Sequence, residues 1–172
     1  MADDARISLT QPGAEAWTAQ PAGYRAWEGS VELGSGDAVW RWAREELLRW
    51  GVKTRSGFAV EPPEAVRRGD RPVIRAHAFG LAIREPVEVI EVVDEPDRTA
   101  FAYRTLPGHP IDGEEAFLLS RGDDGTVRLG IRSLTRPAAE AHWRLAYPGL
   151  LVAQSVARRR YLRALSRVRA GG

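Results

Sequence analysis

The chain has 172 residues, of which 44% are hydrophobic and 28% charged, as is typical of a single globular domain that buries a core. Zero cysteines exclude disulfides and thiolate chemistry, and no apolar run approaches the roughly 18 residues of a membrane span. The net charge is +2 and Lys53 is the only lysine, so we attribute the arginine preference to high-GC coding rather than to specific nucleic-acid binding. We therefore expect a cytoplasmic protein with no transmembrane segment.

The N-terminal part of the chain predicts an arm, a strand and a helix. Residues 1–23 are polar and interrupted by proline and glycine, so we expect an arm that lies on the body or is partly disordered, and a single domain over residues 24–170. Residues 24–33 suit a first strand, and residues 57–72 a connection with at most one short strand. Between them, apolar residues recur at intervals of three and four, which predicts an amphipathic helix that Gly51 ends: Val39, Trp42, Ala43, Leu47 and Trp50.

The rest of the chain predicts strands followed by one long helix. Segments rich in β-formers are 73–79, 86–93, 98–105, 114–121 and 126–135. Asp123–Gly125 is typical of a hairpin turn, whereas the connection 106–113 is long for a hairpin. After Pro137, a helix is predicted from about Leu145 to Val168. Because an antiparallel sheet must cover one of its faces, we predict an α+β helix-grip fold, a curved antiparallel sheet wrapped around the long C-terminal helix.

Several motifs resemble the family called domain of unknown function nineteen-ninety, from about residue 20 to 168. The segments that carry the resemblance are 21–24, 47–50, 92–96, 101–103, 105–110, 113–117, 133–137 and 159–165. The resemblance implies membership of this family, which has no assigned activity. More distantly, the layout is similar to the START and birch-pollen-allergen superfamily, whose members bind apolar ligands or act as cyclases, which is an argument by analogy. Family members often carry an aromatic residue in the strand after Pro86, where this chain has Glu91, so a more acidic pocket is implied.

The segment 105–117 is the richest in residues that could carry chemistry. If the last strands form a meander, its loop lies at one rim of the sheet, where a helix-grip cavity opens, and His109, Glu114 and Arg136 meet there, with His142 as a further candidate. His109 has two interpretations, a surface ring that sets the turn geometry, which we favour, and an acid/base group.

Adjacent Glu114 and Glu115 must face opposite sides of a strand, because successive side chains alternate. Whichever one is buried would need a partner, for which Arg136 and Arg104 are candidates. A buried, paired carboxylate can serve acid/base chemistry through a shifted pKa, but a structural clamp that ties the loop to the sheet is the favoured interpretation.

Alternation also groups polar residues with apolar ones. Thr99, Phe101 and Tyr103 share one face, and Glu91 is expected among valines, so Tyr103 and Glu91 would be polar points in an apolar pocket. In the last helix, Arg158 shares the register of Leu151 and Ser155, and either reaches out to solvent or points into the cavity toward an anionic ligand group. A basic face on the same helix contains Arg159, Arg160, Arg163 and Arg167.

The leading hypothesis is a protein that binds a small, largely apolar molecule between sheet and helix, for carriage or for cofactor-free acid/base chemistry. The enzyme would be a cyclase, isomerase or dehydratase acting on a polyketide- or terpenoid-like substrate. The predicted catalytic residues are His109, Glu115 and Tyr103, and the predicted ligand-binding residues are Glu91, Phe101, Glu114, Phe117, Arg136, Ser155 and Arg158. No metal or cofactor is expected, and a homodimer is left open. The alternative is a non-enzymatic interaction module that docks through the basic helix face.

Overall fold

The computed structural model describes residues 7–18, 20–78 and 80–166. The sequence predictions for residues 1–6, for Arg167 and for Val168 lie outside this range. The elements in chain order are β1 (Arg25–Ser35), α1 (Asp37–Leu47), α2 (Gly51–Thr54), β2 (Ala59–Glu61), β3 (Val73–Ala78), β4 (Leu81–Asp94), β5 (Arg98–Thr105), β6 (Ile111–Arg121), β7 (Thr126–Pro137) and α3 (Ala141–Ala164).

The strands form one seven-stranded antiparallel sheet in the order β1-β7-β6-β5-β4-β3-β2. The helices contribute to a single core on one face of this sheet, which we call the inner face. Leu47 of α1, Val52 of α2 and Tyr161 of α3 belong to that core. The sheet is curved around the C-terminal helix, so the α+β helix-grip prediction is confirmed.

Large side chains on alternate positions build the inner core. Phe101 pairs in register with Phe117, which pairs with Ile131, and all three are almost fully buried. Each such side chain contributes about 1.5–3 kcal/mol through removal of apolar surface from water. The intervening residues, such as Ala102 and Ala116, form a smaller cluster on the outer face. Strict alternation therefore assigns each residue of β5, β6 and β7 to one face.

A β-bulge in β4 breaks this alternation. Val89 pairs with Tyr103 on the inner face, but the next paired residue is Glu91, opposite Ala102 on the outer face. The extra residue, Ile90, shifts the faces of everything that follows it. The expectation that Glu91 lies among inward-facing valines is therefore wrong, because it assumed unbroken alternation from Val87 onward.

Three of the element boundaries that differ from the prediction lie at or near a glycine. α1 ends at Leu47, and Gly51 begins α2 instead of ending α1, because Trp50 itself takes the left-handed conformation with φ of 62°. β4 begins earlier, at Leu81, directly after the turn at Gly80. β6 also begins earlier, at Ile111, and a Cβ at Gly113 would lie 1.8 Å from the carbonyl oxygen of Leu134. The connection between β5 and β6 is thus shorter than predicted.

The N-terminal segment, residues 7–18, crosses the outer face and is held there by Arg132. This guanidinium is only 3% exposed and donates to the carboxylate of Glu28 at 2.8 Å. It also donates at 2.6, 3.1 and 2.9 Å to the carbonyl oxygens of Gln11, Ala14 and Glu15. Such charge-assisted hydrogen bonds are about twice as strong as neutral ones. Arg132 thus anchors the segment at several backbone positions.

Glu114 holds the same segment through its carboxylate. Its Oε2 atom accepts hydrogen bonds from the amide of Leu9 at 2.8 Å, the amide of Thr10 at 3.3 Å and the hydroxyl of Ser8 at 3.1 Å. Burial raises the pKa of Glu114, against the lowering effect of these donors. Of the two adjacent glutamates, Glu114 is therefore the one on the outer face.

Candidate functional site

A cavity of about 310 Å³ lies between the inner face of the sheet and α3. We call it the main cavity. Its apolar walls come from the sheet, from the segment after α2 and from α3; they include Phe58, Ile83, Ile111, Leu150 and Ala157. Its polar lining residues include Lys53, Glu85, Tyr103, His109, Glu115 and Tyr161. An apolar chamber with a few convergent polar groups is the usual form of a small-molecule site.

Four of these residues form one hydrogen-bonded group, the Lys53 cluster: Lys53, Tyr103, Glu115 and Tyr161. The Lys53 ammonium lies 2.9 Å from Oε2 of Glu115 and donates to the Tyr161 hydroxyl at 2.7 Å. The Tyr103 hydroxyl donates to the same Glu115 oxygen. Lys53 is 3% and Glu115 8% exposed, so the ion pair is almost completely removed from water.

Aromatic rings surround the ammonium of Lys53. Its Nζ lies 4.7 Å from the ring centroid of Tyr161, 4.9 Å from that of Phe58 and 5.7 Å from that of Phe117. Ring faces attract a desolvated cation. Because buried α2 carries Lys53 and the rings come from three separate parts of the chain, the fold itself fixes the position of the charge.

The electrostatics keep Lys53 charged and both tyrosines neutral. Burial alone would lower the pKa of Lys53, but the Glu115 carboxylate and the neighbouring hydroxyls raise it well above its ordinary value. Burial, reinforced by Glu115, raises the pKa of Tyr103 well above its usual range. Burial also raises the pKa of Tyr161, although Lys53 opposes it. Lys53 therefore acts as a permanent cation, not as a nucleophilic amine.

The Tyr161 hydroxyl keeps an unused donor. Its oxygen accepts from Lys53, and no acceptor for its own proton occurs among the residues that the structure describes. A hydroxyl that accepts from a cation is a strengthened donor, because hydrogen bonds in a chain polarise one another. The arrangement can therefore donate a hydrogen bond to a ligand oxygen in the cavity.

Glu85 and His109 line the same cavity as the Lys53 cluster, and the pKa of each is shifted. Burial raises the pKa of Glu85 to about 6, with Lys53 opposing and Glu115 adding to the shift. Burial, together with the Lys53 charge, lowers the pKa of His109 to about 3. His109 Nδ1 accepts from the Ile111 amide at 3.0 Å, so the neutral ring carries its proton on Nε2. Of these two residues, Glu85 is thus the one that changes charge closer to neutral pH.

On its α3 side, the cavity is lined by a buried polar atom without a hydrogen-bond partner among the described residues, and by exposed valines. The side-chain oxygen of Gln154 is buried, and it has no hydrogen-bond partner within the described part of the chain. Val152 is 62% exposed, and with Val156 it lines the cavity from α3, opposite exposed His77 of β3. These exposed valines therefore lie where the cavity borders solvent.

Sequence comparison assigns the chain to a family. The profile described as Domain of unknown function (DUF1990) matches residues 8–164. The chain belongs to this family. A UPF0548 protein of Deinococcus radiodurans is 37% identical to it over 156 residues, which cover 83% of this chain and 76% of that protein.

Solved structures share the helix-grip fold of this DUF1990 chain. A hypothetical protein of Helicobacter pylori superposes with a TM-score of 0.61 at 13% identity, covering 83% of this chain and 86% of that one. The ZhuI aromatase/cyclase of a Streptomyces species superposes with a TM-score of 0.57 at 18% identity, covering 87% and 98%. At these identities the likeness establishes the fold alone.

The structure brings some of the predicted site residues together and separates others. Tyr103 and Glu115 meet in the Lys53 cluster, and His109 lines the same cavity. Phe101 and Phe117 pack in the core beneath them, where Phe101 contacts Trp50 with ring centroids 4.9 Å apart.

Other predicted ligand-binding residues direct their side chains elsewhere, including Glu114, which borders the main cavity. The side chains of Glu91 and Glu114 are on the outer face. Arg136 is exposed and pairs with Asp112 at 2.6 Å, so the suggested pairing of Arg136 with a buried glutamate is wrong. Ser155 and Arg158 line a second cavity, on the β1 side of α3.

Sequence reasoning missed Lys53, Glu85 and Tyr161. Lys53 carried a signal, since it is the only lysine among 25 Lys and Arg residues, yet we attributed its rarity to coding bias. Glu85 alternates with Val87, but the predicted strand began after it. Tyr161 gave no local signal, because its contact with Lys53 joins residues that are 108 positions apart.

The basic face of α3 is exposed where it is described. Arg159, Arg160 and Arg163 reach solvent, and Arg160 also lines the main cavity. Within the described residues, no helix is both long and apolar enough to cross a membrane.

Proposed function

We propose that this protein binds a small, largely apolar molecule carrying a carbonyl and a hydroxyl group in the main cavity. The observation that carries the proposal is the Lys53–Tyr161 pair, a cation-supported hydroxyl whose proton has no acceptor within the described residues and which lines a chamber of about 310 Å³. A carbonyl oxygen would accept from Tyr161, and a ligand hydroxyl would donate to Gln154. Apolar walls would hold the body of the ligand.

The same residues support cofactor-free enolisation. The carboxylate of Glu85 would remove a proton from the carbon beside the ligand carbonyl, and Tyr161, backed by Lys53, would stabilise the enolate oxygen. Where a double bond is conjugated with the enolate, return of that proton from Glu85 to the far carbon is an isomerisation. Where the ligand has a second carbonyl, attack of the enolate carbon closes a ring, and Glu85 returns its proton to the new alkoxide. Loss of that hydroxyl and of a proton from the adjacent carbon then releases water. A base with a pKa of about 6 suits this work near neutral pH. A polyketide-like aromatic ketone fits these requirements, and the fold shared with an aromatase/cyclase is consistent with them.

Native mass spectrometry of freshly purified protein tests the binding proposal. We expect a retained small molecule, or saturable uptake of a dihydroxyanthraquinone by protein that lacks one. Absence of both would contradict the proposal. The matched variant is Ile83→Trp, which would fill the cavity from β4 and should abolish uptake while the protein remains folded.

Proton exchange tests the chemistry separately from binding. β-Tetralone, an apolar bicyclic ketone with acidic protons beside its carbonyl, would be incubated with the protein in D₂O and followed by proton NMR. We expect the wild type to accelerate loss of these protons, Glu85→Gln to abolish the acceleration, and His109→Ala to retain it. Binding of β-tetralone without faster proton exchange would support a carrier role and would contradict the enzymatic part of the proposal.

A further inference from the structure

A second cavity, of about 320 Å³, lies between β1 and α3, apart from the Lys53 cluster. Trp27 of β1 and Leu151 and Leu162 of α3 give it apolar walls. Its charged lining is made entirely of arginines, namely Arg25, Arg158 and Arg159, and no carboxylate of the described residues lines it. Arg25 and Arg159 are exposed, whereas a buried charge is normally paired with one of opposite sign.

Arg158 is the buried member of this group. It is 9% exposed, stacks with its guanidinium carbon 4.6 Å from the Trp27 ring centroid, and donates from Nη2 to the Ser133 hydroxyl at 2.7 Å. Its Nε atom is buried and has no acceptor in the described parts of the chain, nor does Arg158 form an ion pair there. Burial lowers the pKa of Arg158, Glu115 opposes this, and neighbouring Arg25 adds to it.

The charge balance of Arg158 therefore differs from that of Lys53. Lys53 has Glu115 as its counterion, whereas Arg158 has a neutral hydroxyl and a ring. Removing a guanidinium from water without a counterion is unfavourable. A carboxylate would relieve this cost, because its two oxygens match the planar N–H fork of an arginine.

We propose that the second cavity is a binding site for an amphipathic carboxylate, with the acid group on Arg158 and Arg25 and the apolar body against Trp27 and the two leucines. The site is independent of the proposed function of the main cavity. Ser133 borders the main cavity and bonds Arg158, so the two chambers share one wall.

The test is calorimetric titration of the full chain with octanoate, and with octanol as the uncharged probe of equal chain length. We expect octanoate to bind the wild type about tenfold or more tightly than octanol does. In Arg158→Met, which keeps the volume of the side chain, octanoate affinity should fall at least about tenfold. Arg163→Gln removes one positive charge from an exposed position of the same helix and should leave the affinity unchanged.

Two further variants keep the test decisive. Arg25→Gln changes an exposed strand residue without disturbing the core and should weaken octanoate binding several-fold, even if Arg158→Met failed to fold. Tyr161→Phe alters the main cavity and should leave octanoate affinity intact. Equal affinity in Arg158→Met and the wild type, equal binding of octanol and octanoate, or loss of binding only in Tyr161→Phe would each overturn the proposal.

Discussion

The two faces of β6 and β7 carry buried charges that serve different purposes. On the outer face, Arg132 and Glu114 hold the N-terminal segment, and backbone groups of that segment occupy them. On the inner face, Glu115 and Lys53 meet beside a cavity, and Tyr161 keeps a free hydroxyl proton within the described residues. Glu114 and Glu115 are neighbours in sequence, yet alternation assigns them to these two different environments.

The difference teaches how a structural charge can be told from one that is available to a ligand. Burial and ion pairing are common to both faces, so neither property separates them. The two groups of residues differ in whether a hydrogen-bond donor remains unpaired within the described residues, and in whether that donor faces a cavity. The outer residues form a clamp, and the inner residues keep hydrogen-bonding capacity that a ligand would use under the proposed function.

The largest effect is expected from Lys53→Met. This change leaves the Glu115 carboxylate buried without its counterion, and loss of one partner of a buried pair costs about 3–5 kcal/mol of unfolding free energy. Urea unfolding measures it. The control is Arg55→Met, which breaks an exposed pair with Glu46 in the same part of the chain and should cost less than about 1 kcal/mol. The double variant Lys53→Met with Glu115→Gln should recover part of the loss. A loss in the double variant equal to the sum of the losses in the two single variants would show that no coupling exists.

On the outer face, Arg132→Met should release the N-terminal segment without changing the main cavity. Loss of its charged hydrogen bonds is expected to lower the unfolding free energy by about 2–3 kcal/mol. Hydrogen exchange should show lost protection confined to residues 8–17, and β-tetralone exchange should stay at the wild-type rate. Arg128→Met, which loses only an exposed pair with Glu32, is the matched control. A changed rate of β-tetralone exchange in Arg132→Met would mean that the two faces are not independent.

The sequence predicts most of the fold because its signals are local. Period-two alternation and the turn at Asp123–Gly125 locate the later strands, and β5 occupies the predicted range 98–105. Alternation also groups Tyr103 with Phe101 on the inner face, and Glu115 with Phe117. It fails at Glu91, because a bulge at Ile90 has no clear signature in a run of valines and isoleucine.

The site is only half predictable for a physical reason. Tyr103 and Glu115 face each other across neighbouring strands, so pairing rules bring them together. Lys53 and Tyr161 join them through the docking of α2 and α3, and the rotation of a docked helix depends on packing across the whole core. Sequence spacing alone does not specify that rotation.

The contributions of Glu85 and His109 to folding stability depend on pH in opposite directions. The folded-state pKa of Glu85 is raised from 4.5 to about 6, so between these values the folded state binds more protons than the unfolded state. Its stabilising contribution is thus present below about pH 4.5 and is lost as pH rises through 6, by about 2 kcal/mol. His109 has the opposite sign, since its pKa is lowered to about 3 and its contribution is lost as pH falls below 6.5.

Comparison of the wild type with Glu85→Gln separates the pH dependence due to Glu85 from that due to His109. The unfolding free energy of the wild type minus that of the variant should fall by about 2 kcal/mol as pH rises from about 4 to about 7, because His109 contributes equally to both. Urea titrations at several pH values measure it. Parallel curves for the two proteins would mean that Glu85 is solvated, and its proposed role as a base would lose its support.

The smallest effect, and the one that decides between clamp and site, is expected from Tyr161→Phe. Removing the hydroxyl deletes one hydrogen bond from Lys53, so stability should fall by only about 1 kcal/mol. Affinity for a dihydroxyanthraquinone, measured by calorimetry, should fall about tenfold, because the ligand carbonyl loses its donor. Tyr147→Phe, on the same helix but outside the main cavity, should change neither quantity. Equal affinity in Tyr161→Phe and the wild type would mean that the hydroxyl proton never meets a ligand. The Lys53 cluster would then be a second clamp, like Arg132 and Glu114, and free hydrogen-bonding capacity would no longer distinguish the two faces.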